Sequence, residues 1–259
     1  MRTVLLSALV TTLGCKRPPE APNELNKLTG YLFVHAADDD HAKLEAGFAN
    51  LNAWMAKRLE ETADGYTVNN LSQEEVNTLD ACERDISGLI GAAVGTTSDY
   101  EVQNFVSTIV TGPTMEVYDN YLKYRREPLV NDAKCFASME CTQFYYDSFA
   151  TKKFPLGIEA RSTSRVQHQW VETDDGTAHI YRSWLMMPVR ATPDWVDVQQ
   201  QFYLSAMMPW KNGQSVRLQA IWAVTEFANA PVPESMALQI AIDEMQSDAE
   251  VLEAWMDEN

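Results

Sequence analysis

The spacing of apolar residues changes along this chain, from a helical period to an alternating one, at about Ile158. Between Leu44 and Leu59 apolar residues recur every three or four positions, which predicts an amphipathic helix. Beyond Ile158 they alternate with polar residues in segments separated by turn sequences, which predicts an antiparallel β-meander. The chain should therefore fold as an α+β protein, with a helical N-terminal region followed by a sheet.

The predicted meander has four strands joined by short turns. Asp174-Asp175-Gly176 and Lys211-Asn212-Gly213 are typical of tight turns between antiparallel strands. Alternation places Val198 and Phe202 together on one face of the third strand, and Trp222 on the apolar face of the fourth. The four segments are Ser164–Thr173, Thr177–Val189, Val196–Pro209 and Ser215–Phe227.

A long helix should end the chain and cover the meander. After Pro231 and Pro233, apolar residues recur alternately four and three positions apart, and such a stripe must be buried. Two capping-box sequences, Ser72–Glu75 and Ser98–Glu101, predict earlier helix starts, and Leu89–Gly95 between them predicts a strand. The stripe of the final helix consists of Leu238, Ile242, Met245, Ala249, Leu252 and Met256.

The order strand, capped helix, meander and long C-terminal helix, over residues 88–256, resembles the START-like helix-grip fold. In that fold a curved sheet wraps the last helix around an apolar cavity, so the resemblance implies a binding site for a lipid or another apolar molecule. An unrelated α+β lipoprotein fold would show the same order of elements. The helices before residue 88 lie outside the resemblance.

The N-terminus is typical of an exported protein. Arg2 precedes the apolar run Val4–Leu13, whose length is about half of the roughly 20 residues that a membrane-spanning helix needs. Gly14-Cys15 resembles the lipobox of bacterial lipoproteins, with Thr12 where Leu is usual, and this resemblance implies that Cys15 is lipidated after cleavage. In bacterial lipoproteins an Asp directly after the lipidated Cys favours retention in the inner membrane. This chain has Lys16 at that position, so the resemblance implies that the protein is anchored in the outer membrane of the cell envelope. An ordinary cleaved signal, or a Cys without a role in anchoring, would fit the same residues.

We divide the chain into three parts on this basis. Residues 1–14 are predicted to form a signal peptide, and residues 15–24 the lipidated Cys and a Pro-rich spacer. Residues 25–259 form a single α+β domain, in which residues 25–87 are the helical part and residues 88–259 the sheet and the C-terminal helix.

The composition is strongly acidic. The chain has 20 Lys and Arg residues against 37 Asp and Glu residues, a net charge of −17, and removing residues 1–14 takes away only one basic residue. This balance argues against nucleic acid and against direct adsorption to anionic lipid headgroups. The membrane is therefore predicted to be a partner only through the N-terminal lipid.

Cysteine use fits an oxidising compartment. Cys135 and Cys141 lie close together in the sequence and predict a disulfide that closes a local loop. Cys82 lies in a helix-like stretch and is predicted to be a buried free thiol.

Large side chains are concentrated on the predicted strands. Aromatic and Met side chains adapt to apolar ligands, but they also fill cores, and a plain core is the competing interpretation. Arg182 and Arg217 lie within otherwise apolar strands, so if they point inward they must be paired or await an anionic headgroup. If they point outward, they have no special role. The candidates for a ligand pocket are Trp170, Tyr181, Arg182, Trp184, Phe202, Arg217 and Trp222.

Recognisable catalytic motifs are absent from the sequence. It has no Gly-x-Ser-x-Gly elbow, Walker loop, dinucleotide glycine fingerprint or His-Glu-x-x-His, so no cofactor is predicted. His35, Asp38, Asp40 and His41 have the chemistry of metal ligands, but a solvated helix N-terminus is the favoured explanation and no metal is predicted.

Two further histidines lie on the two strands of the predicted hairpin. His168 and His179 could orient a ligand or act as acid and base. We expect them instead to be surface residues of neighbouring strands, with His179 opposite Glu172.

Three functions are compatible with these observations. The favoured one is a lipid-anchored cell-envelope protein without catalytic activity that binds a lipid or another apolar small molecule. The first alternative is a structural lipoprotein with a solid core that docks to other envelope proteins. The second is a metal-dependent or histidine-based hydrolase.

Overall fold

An antiparallel sheet forms the centre of the fold, with helices against both of its faces. The computed structural model describes residues 20–80, 85–154, 157–192, 196–227 and 234–259. The predicted signal peptide, Cys15, Lys16 and Cys82 lie outside the described residues. The helices are α1 (Leu25–His35), α2 (Ala42–Arg58), α3 (Gln73–Val76), α4 (Val102–Thr111), α5 (Thr114–Val117), α6 (Ala133–Ala137) and α7 (Glu234–Glu258).

Every pair of neighbouring strands in this sheet is antiparallel, and the order across it is β1-β2-β9-β8-β6-β5-β4-β3. The short strand β7 pairs with the beginning of β5. The strands are β1 (Tyr66–Thr67), β2 (Ile90–Ser98), β3 (Tyr121–Val130), β4 (Gln143–Phe154), β5 (Ile158–Thr173), β6 (Gly176–Leu185), β7 (Arg190–Thr192), β8 (Val196–Pro209) and β9 (Ser215–Phe227).

The outer face of the sheet, defined as the face that packs against α1 and α2, is apolar. Its side chains from β6, β8 and β9 join those of the two helices in one buried cluster. Phe33 of α1 lies edge-on to two outer-face rings, with ring centroids 6.0 Å from Phe202 and 5.6 Å from Trp222. The N-terminal helices are therefore part of the same core as the sheet.

The inner face, defined as the opposite face, packs against α4, α6 and α7. Ile242 and Met245 of α7 contact Ala92, Val94 and Ile221 of β2 and β9. Leu252, nearly two turns before the end of α7, joins a separate cluster with α4 and α6. Four residues of the predicted apolar stripe of the C-terminal helix are thus buried, and Leu238 and Met256 are partly buried.

The predicted fold class is confirmed: helices lead into an antiparallel meander that holds a long C-terminal helix in a helix-grip arrangement. The first predicted capping box is also present, since the Ser72 hydroxyl accepts from the Glu75 N–H and the Glu75 carboxylate accepts from the Ser72 N–H. The helix that it opens ends already at Val76.

Two sequence predictions are wrong in detail. The second capping box does not form, because Ser98 ends β2 and Glu101, without a side-chain cap, precedes the first turn of α4. Val198 and Phe202 do not share a face, because the register of β8 shifts between Val198 and Gln200. Val198 consequently lines the inner face, whereas Phe202 belongs to the outer cluster.

Candidate ligand cavity

A cavity of about 290 Å³ lies between the inner face of the sheet and helices α4, α5 and α7. This volume is at the lower end of the range for small-molecule sites, about 300–1,000 Å³. Strands β3, β4, β5, β6, β8 and β9 all contribute to its wall. The cavity is therefore the interior of the helix grip, closed on one side by α7.

The wall of this cavity is rich in hydroxyl groups. Serines of β4, β5 and β6 face it, and tyrosines reach it from five segments of the chain. Apolar wall residues, among them Val117, Val166 and Leu252, lie between them. Alternation in each strand sends every second side chain inward, and on β4, β5 and β6 many of these inward side chains carry a hydroxyl group. The tyrosines are Tyr118, Tyr121, Tyr124, Tyr146, Tyr181 and Tyr203.

Arg217 of β9 places a buried guanidinium in the wall, with only 5% of the residue exposed. Its Nε donates to the Ser205 hydroxyl at 2.9 Å, and its Nη2 donates to the Tyr203 hydroxyl at 3.3 Å. Among the described residues no carboxylate lies within 4.0 Å of this guanidinium. Its hydrogen-bond partners are therefore neutral, and Asp248 of the same wall acts on it only from a longer distance. A buried cation without a direct carboxylate partner is unusual, because burial of a charge is costly.

Gln219 extends the polar group around Arg217. Its amide nitrogen donates to the Tyr203 hydroxyl at 2.7 Å, so that this hydroxyl accepts from two side chains. The Gln219 amide oxygen is buried and has no hydrogen-bond partner among the described residues. The polar network near the beginning of β9 is therefore incomplete.

A second group of charges comes from β4 and α7. Lys152 donates to Glu244 at 2.9 Å and lies 4.7 Å from the centre of the Tyr121 ring. Burial alone would lower the pKa of Lys152, but Tyr121, Glu244 and Asp248 together hold it well above its usual value. Burial raises the pKa of Asp248 to about 6. Lys152 is therefore a paired cation, unlike Arg217.

Arg126 of β3 is also committed to partners within the protein. It donates to the carbonyl oxygens of Ile109, at 2.8 Å, and Val110, in the last turn of α4. It also donates to the hydroxyls of Tyr124 and Thr114. These bonds satisfy carbonyls that a helix leaves free at its C-terminus, where a cation is also favoured by the helix dipole.

His168 and His179 form a buried pair, which corrects the expectation that they are surface residues. Each residue is 1% exposed, and His168 Nδ1 lies 3.0 Å from His179 Nε2. His179 is paired in register with Trp170 rather than with Glu172. Burial lowers the pKa of both imidazoles, to about 3 for His179 and well below the usual value for His168. Both rings are therefore neutral at physiological pH.

The predicted pocket residues are divided between the two faces of the sheet. Tyr181 and Arg217 line the cavity. Trp170 is on the inner face but packs against α6, with its indole N–H donating to the Phe136 carbonyl at 2.9 Å. The structure places the other four on the outer face, beneath α1 and α2: Arg182, Trp184, Phe202 and Trp222.

The outer-face polar groups have partners in the N-terminal segment. Arg182 donates to the Phe33 and Val34 carbonyls, both at 3.0 Å, in the last turn of α1. The indole nitrogens of Trp184 and Trp222 donate to backbone carbonyls of residues 80 and 69. These contacts give Arg182, Trp184 and Trp222 a structural role, and Phe202 has one through its packing against Phe33.

The residues with metal-ligand chemistry are not gathered around one point. His35 and Lys43 both contact one carboxylate oxygen of Asp38, at 2.7 and 3.1 Å. Asp40 accepts from a backbone N–H at the start of α2, and His41 lies 2.9 Å from a glutamine amide of β5. In the described part of the chain no group of three or more His, Cys, Asp or Glu side chains could hold a metal ion.

The two cysteines of the loop between β3 and β4 are joined. Cys135 lies in α6 and its sulfur is bonded to that of Cys141, with the two Cα atoms 5.4 Å apart. The Asp132 carboxylate accepts from two N–H groups at the start of α6 and caps it. The disulfide and the cap together hold Phe136 in the inner-face core.

Comparison with known proteins shows similarity in fold alone. No protein-family model matches the sequence, and no curated protein is similar to it. Solved structures similar to this chain include a START superfamily protein from Mycobacterium smegmatis, with 9% identity, a TM-score of 0.43, and coverage of 65% of this chain and 97% of that one. Another is a STAR-related lipid transfer protein from Xanthomonas axonopodis, with 10% identity and a TM-score of 0.46. The similarity covers 67% of this chain and 96% of that one.

Human STARD10 is similar at the same level, with 9% identity, a TM-score of 0.39, and coverage of 72% of this chain and 81% of that one. Similarities of this degree do not identify a ligand or an activity. Among the described residues, no helix has both the length and the hydropathy needed to cross a membrane.

Proposed function

We propose that this protein binds a small molecule in the cavity between the sheet and α7, and that binding rather than catalysis is its function. The observation that carries the proposal is the cavity itself, about 290 Å³ of space at the centre of a folded domain. Small molecules bind in concave sites of roughly this volume or larger, often between the helices and the sheet of a domain. A partly open space of this size, walled by six strands and three helices, therefore has the form of a ligand site.

The cavity wall favours an amphipathic ligand. The apolar residues Val117, Val166 and Leu252 suit a hydrocarbon or aromatic body, whereas the hydroxyls and Arg217 suit a polar head. A purely apolar molecule would leave these polar groups without partners and would bind poorly. A ligand with a short apolar body and one polar end would satisfy both parts of the wall, which keeps a lipid-like molecule as the favoured class.

We also propose that the domain is held at the cell envelope by a lipid on Cys15, followed by the Pro-rich spacer. Metabolic labelling with a radioactive fatty acid tests this directly. The natural chain should incorporate label and sediment with membranes, whereas Cys15→Ala should do neither. Label on the Cys15→Ala chain, or an unlabelled natural chain, would contradict the anchor and leave the cavity proposal unaffected.

Native mass spectrometry of residues 16–259, expressed in the periplasm and purified without detergent, tests the binding function. We expect an extra mass that disappears on denaturation and extracts into organic solvent. Ala241 on α7 lines the cavity, so Ala241→Phe should fill part of it and reduce the fraction of protein that carries the extra mass. Ala254 on the same helix is exposed, so Ala254→Phe serves as the matched control.

A clean apo mass for the natural chain would count against the proposal. So would equal occupancy in the Ala241→Phe and Ala254→Phe variants, because the ligand would then occupy some other place. After a clean apo mass, a solid-core docking role would become the better hypothesis.

A further inference from the structure

The unpaired charge of Arg217 restricts the class of ligand. The cavity wall contains three cationic side chains, Arg126, Lys152 and Arg217, and two carboxylates, Glu244 and Asp248. The wall therefore has one more positive than negative charge, in a protein whose net charge is −17. Charges in a partly buried site interact more strongly than charges in water, so a wall with this excess attracts a single negative charge.

The position of the excess charge follows from the hydrogen bonds. Arg126 is held by the carbonyls at the end of α4, and Lys152 is paired with Glu244. Arg217 uses its Nε and Nη2 on two hydroxyls, and its Nη1 has no hydrogen bond among the described residues. The free donors of Arg217 are therefore the part of the wall that lacks an acceptor.

The geometry of these donors favours a carboxylate. A guanidinium presents its N–H groups as a planar fork that matches the two oxygens of a carboxylate. The hydrogen bonds of Arg217 to Ser205 and Tyr203 restrain its guanidinium, and with it the remaining N–H groups, before a ligand arrives. Fixed donors lose little conformational entropy on binding, which strengthens the interaction.

We infer that the ligand of this cavity is a small monocarboxylic acid whose carboxylate is bound by Arg217. This inference rests on the proposed binding function and adds the chemical class of the ligand. The volume sets the size of the acid: about 290 Å³ is the space of roughly ten water molecules in the liquid. A medium-chain fatty acid or an aromatic acid of that size fits, with its apolar body among Val117, Val166 and Leu252.

Titration calorimetry with octanoate and octanol tests this inference, because the two probes share a chain and differ in charge. Residues 16–259, after removal of any carried ligand by reversible unfolding, should bind octanoate at least about tenfold more tightly than octanol. Arg217→Met should abolish this preference, and Arg217→Lys should keep part of it, since the charge remains and the planar fork is lost. Arg125→Met, a change at an exposed arginine of β3, should leave it unchanged.

A second measurement keeps the test valid if Arg217→Met fails to fold. Octanoate labelled with ¹³C at its carboxyl group reports its own protonation when bound to the natural chain. Pairing with Arg217 should keep the carboxyl group ionised at pH values where free octanoate is protonated. A bound carboxyl group with an unchanged or raised pKa would overturn the inference.

The outcomes separate the inference from the binding function on which it rests. If octanol binds as tightly as octanoate, or if the extra mass in native spectra proves to be a neutral compound, the carboxylate inference is overturned and the binding function stands. If the natural chain carries no extra mass and binds neither probe, both are overturned.

Discussion

Removal of residues 1–87 should leave a chain that cannot fold, although residues 88–259 contain almost the whole sheet and α7. In the full structure the outer face is sealed by α1 and α2, and Trp184, Phe202 and Trp222 are between 0% and 2% exposed. A buried aromatic side chain covers about 150–250 Å². At about 25 cal/mol per Å², each of the three contributes roughly 4–6 kcal/mol of hydrophobic free energy.

The helices account for only part of this burial, because the rings also contact their own sheet. If they account for about half, exposure of the three rings costs roughly 6–9 kcal/mol, which is comparable with the 5–15 kcal/mol net stability of a typical domain. Arg182 would also lose its two carbonyl partners in α1. The truncated chain should therefore be unfolded or molten under conditions in which the full domain is native.

Urea denaturation of residues 20–259 and 88–259, followed by circular dichroism and by binding of a dye for exposed apolar surface, measures this difference. We expect a cooperative transition only for the longer chain and strong dye binding only for the shorter one. A cooperative transition of residues 88–259 at a similar urea midpoint, without dye binding, would refute the reasoning. It would mean that the N-terminal helices are an addition to a sheet that is stable alone.

Four further predictions follow from single residues. Arg182→Met should lower the free energy of unfolding, measured in urea, by about 2–4 kcal/mol, because it leaves buried carbonyls without a donor. The control Arg125→Met, at an exposed ion pair, should lower it by under about 1 kcal/mol. Equal losses in the two variants would contradict the capping role of Arg182. The pKa of His179 is about 3 in the folded state and about 6.5 in the unfolded state, so the unfolded state takes up more protons as the pH falls below 6.5. Through this residue, acidification from pH 7 to 5 should therefore lower the free energy of unfolding by about 2 kcal/mol. Asp248 acts in the opposite direction because its folded pKa is raised, so Asp248→Asn should make the measured loss of stability between pH 7 and 5 steeper; a shallower loss would show that the sign is wrong. Gly91→Ala should lower the melting temperature, because a methyl group there would overlap a buried indole of β9, and an unchanged melting temperature would show that the indole can move.

The strands that sequence periodicity located best are those whose outer face is fully covered. The bounds of β8 and β9 agree with the predicted Val196–Pro209 and Ser215–Phe227, because every second residue there had to be apolar to pack beneath α1 and α2. Strands β3 and β4 were missed. Their inward residues include Arg126, Ser148 and Lys152, which line a polar cavity, so the usual contrast between buried apolar and exposed polar positions is absent.

The same reason explains why sequence analysis gave an incomplete picture of the site. Trp184, Phe202 and Trp222 were predicted as pocket residues because they are large and apolar. They belong instead to the outer face, where they pack in the core. Arg217 was among the predicted pocket residues, but the sequence left open whether it points inward or outward, which depends on the register of β9. Glu244 and Asp248 gave no signal, because acidic residues on α7 are also common on its exposed side.

The two edges of the described sheet differ from its interior strands in a way that bears on solubility. A free edge offers unpaired backbone groups on which a second chain can add a strand and begin aggregation. At one edge, β1 is only two residues long and gives such a strand little to pair with. At the other edge, β3 is long and has exposed Leu122 and Leu129, but it also carries Pro128, which has no N–H to donate, and the charged side chains of Lys123 and Arg125. A single Pro128→Val change would remove one of these safeguards, and growth of fibrils from that edge, rather than loss of the fold, is the defect that such a chain should show.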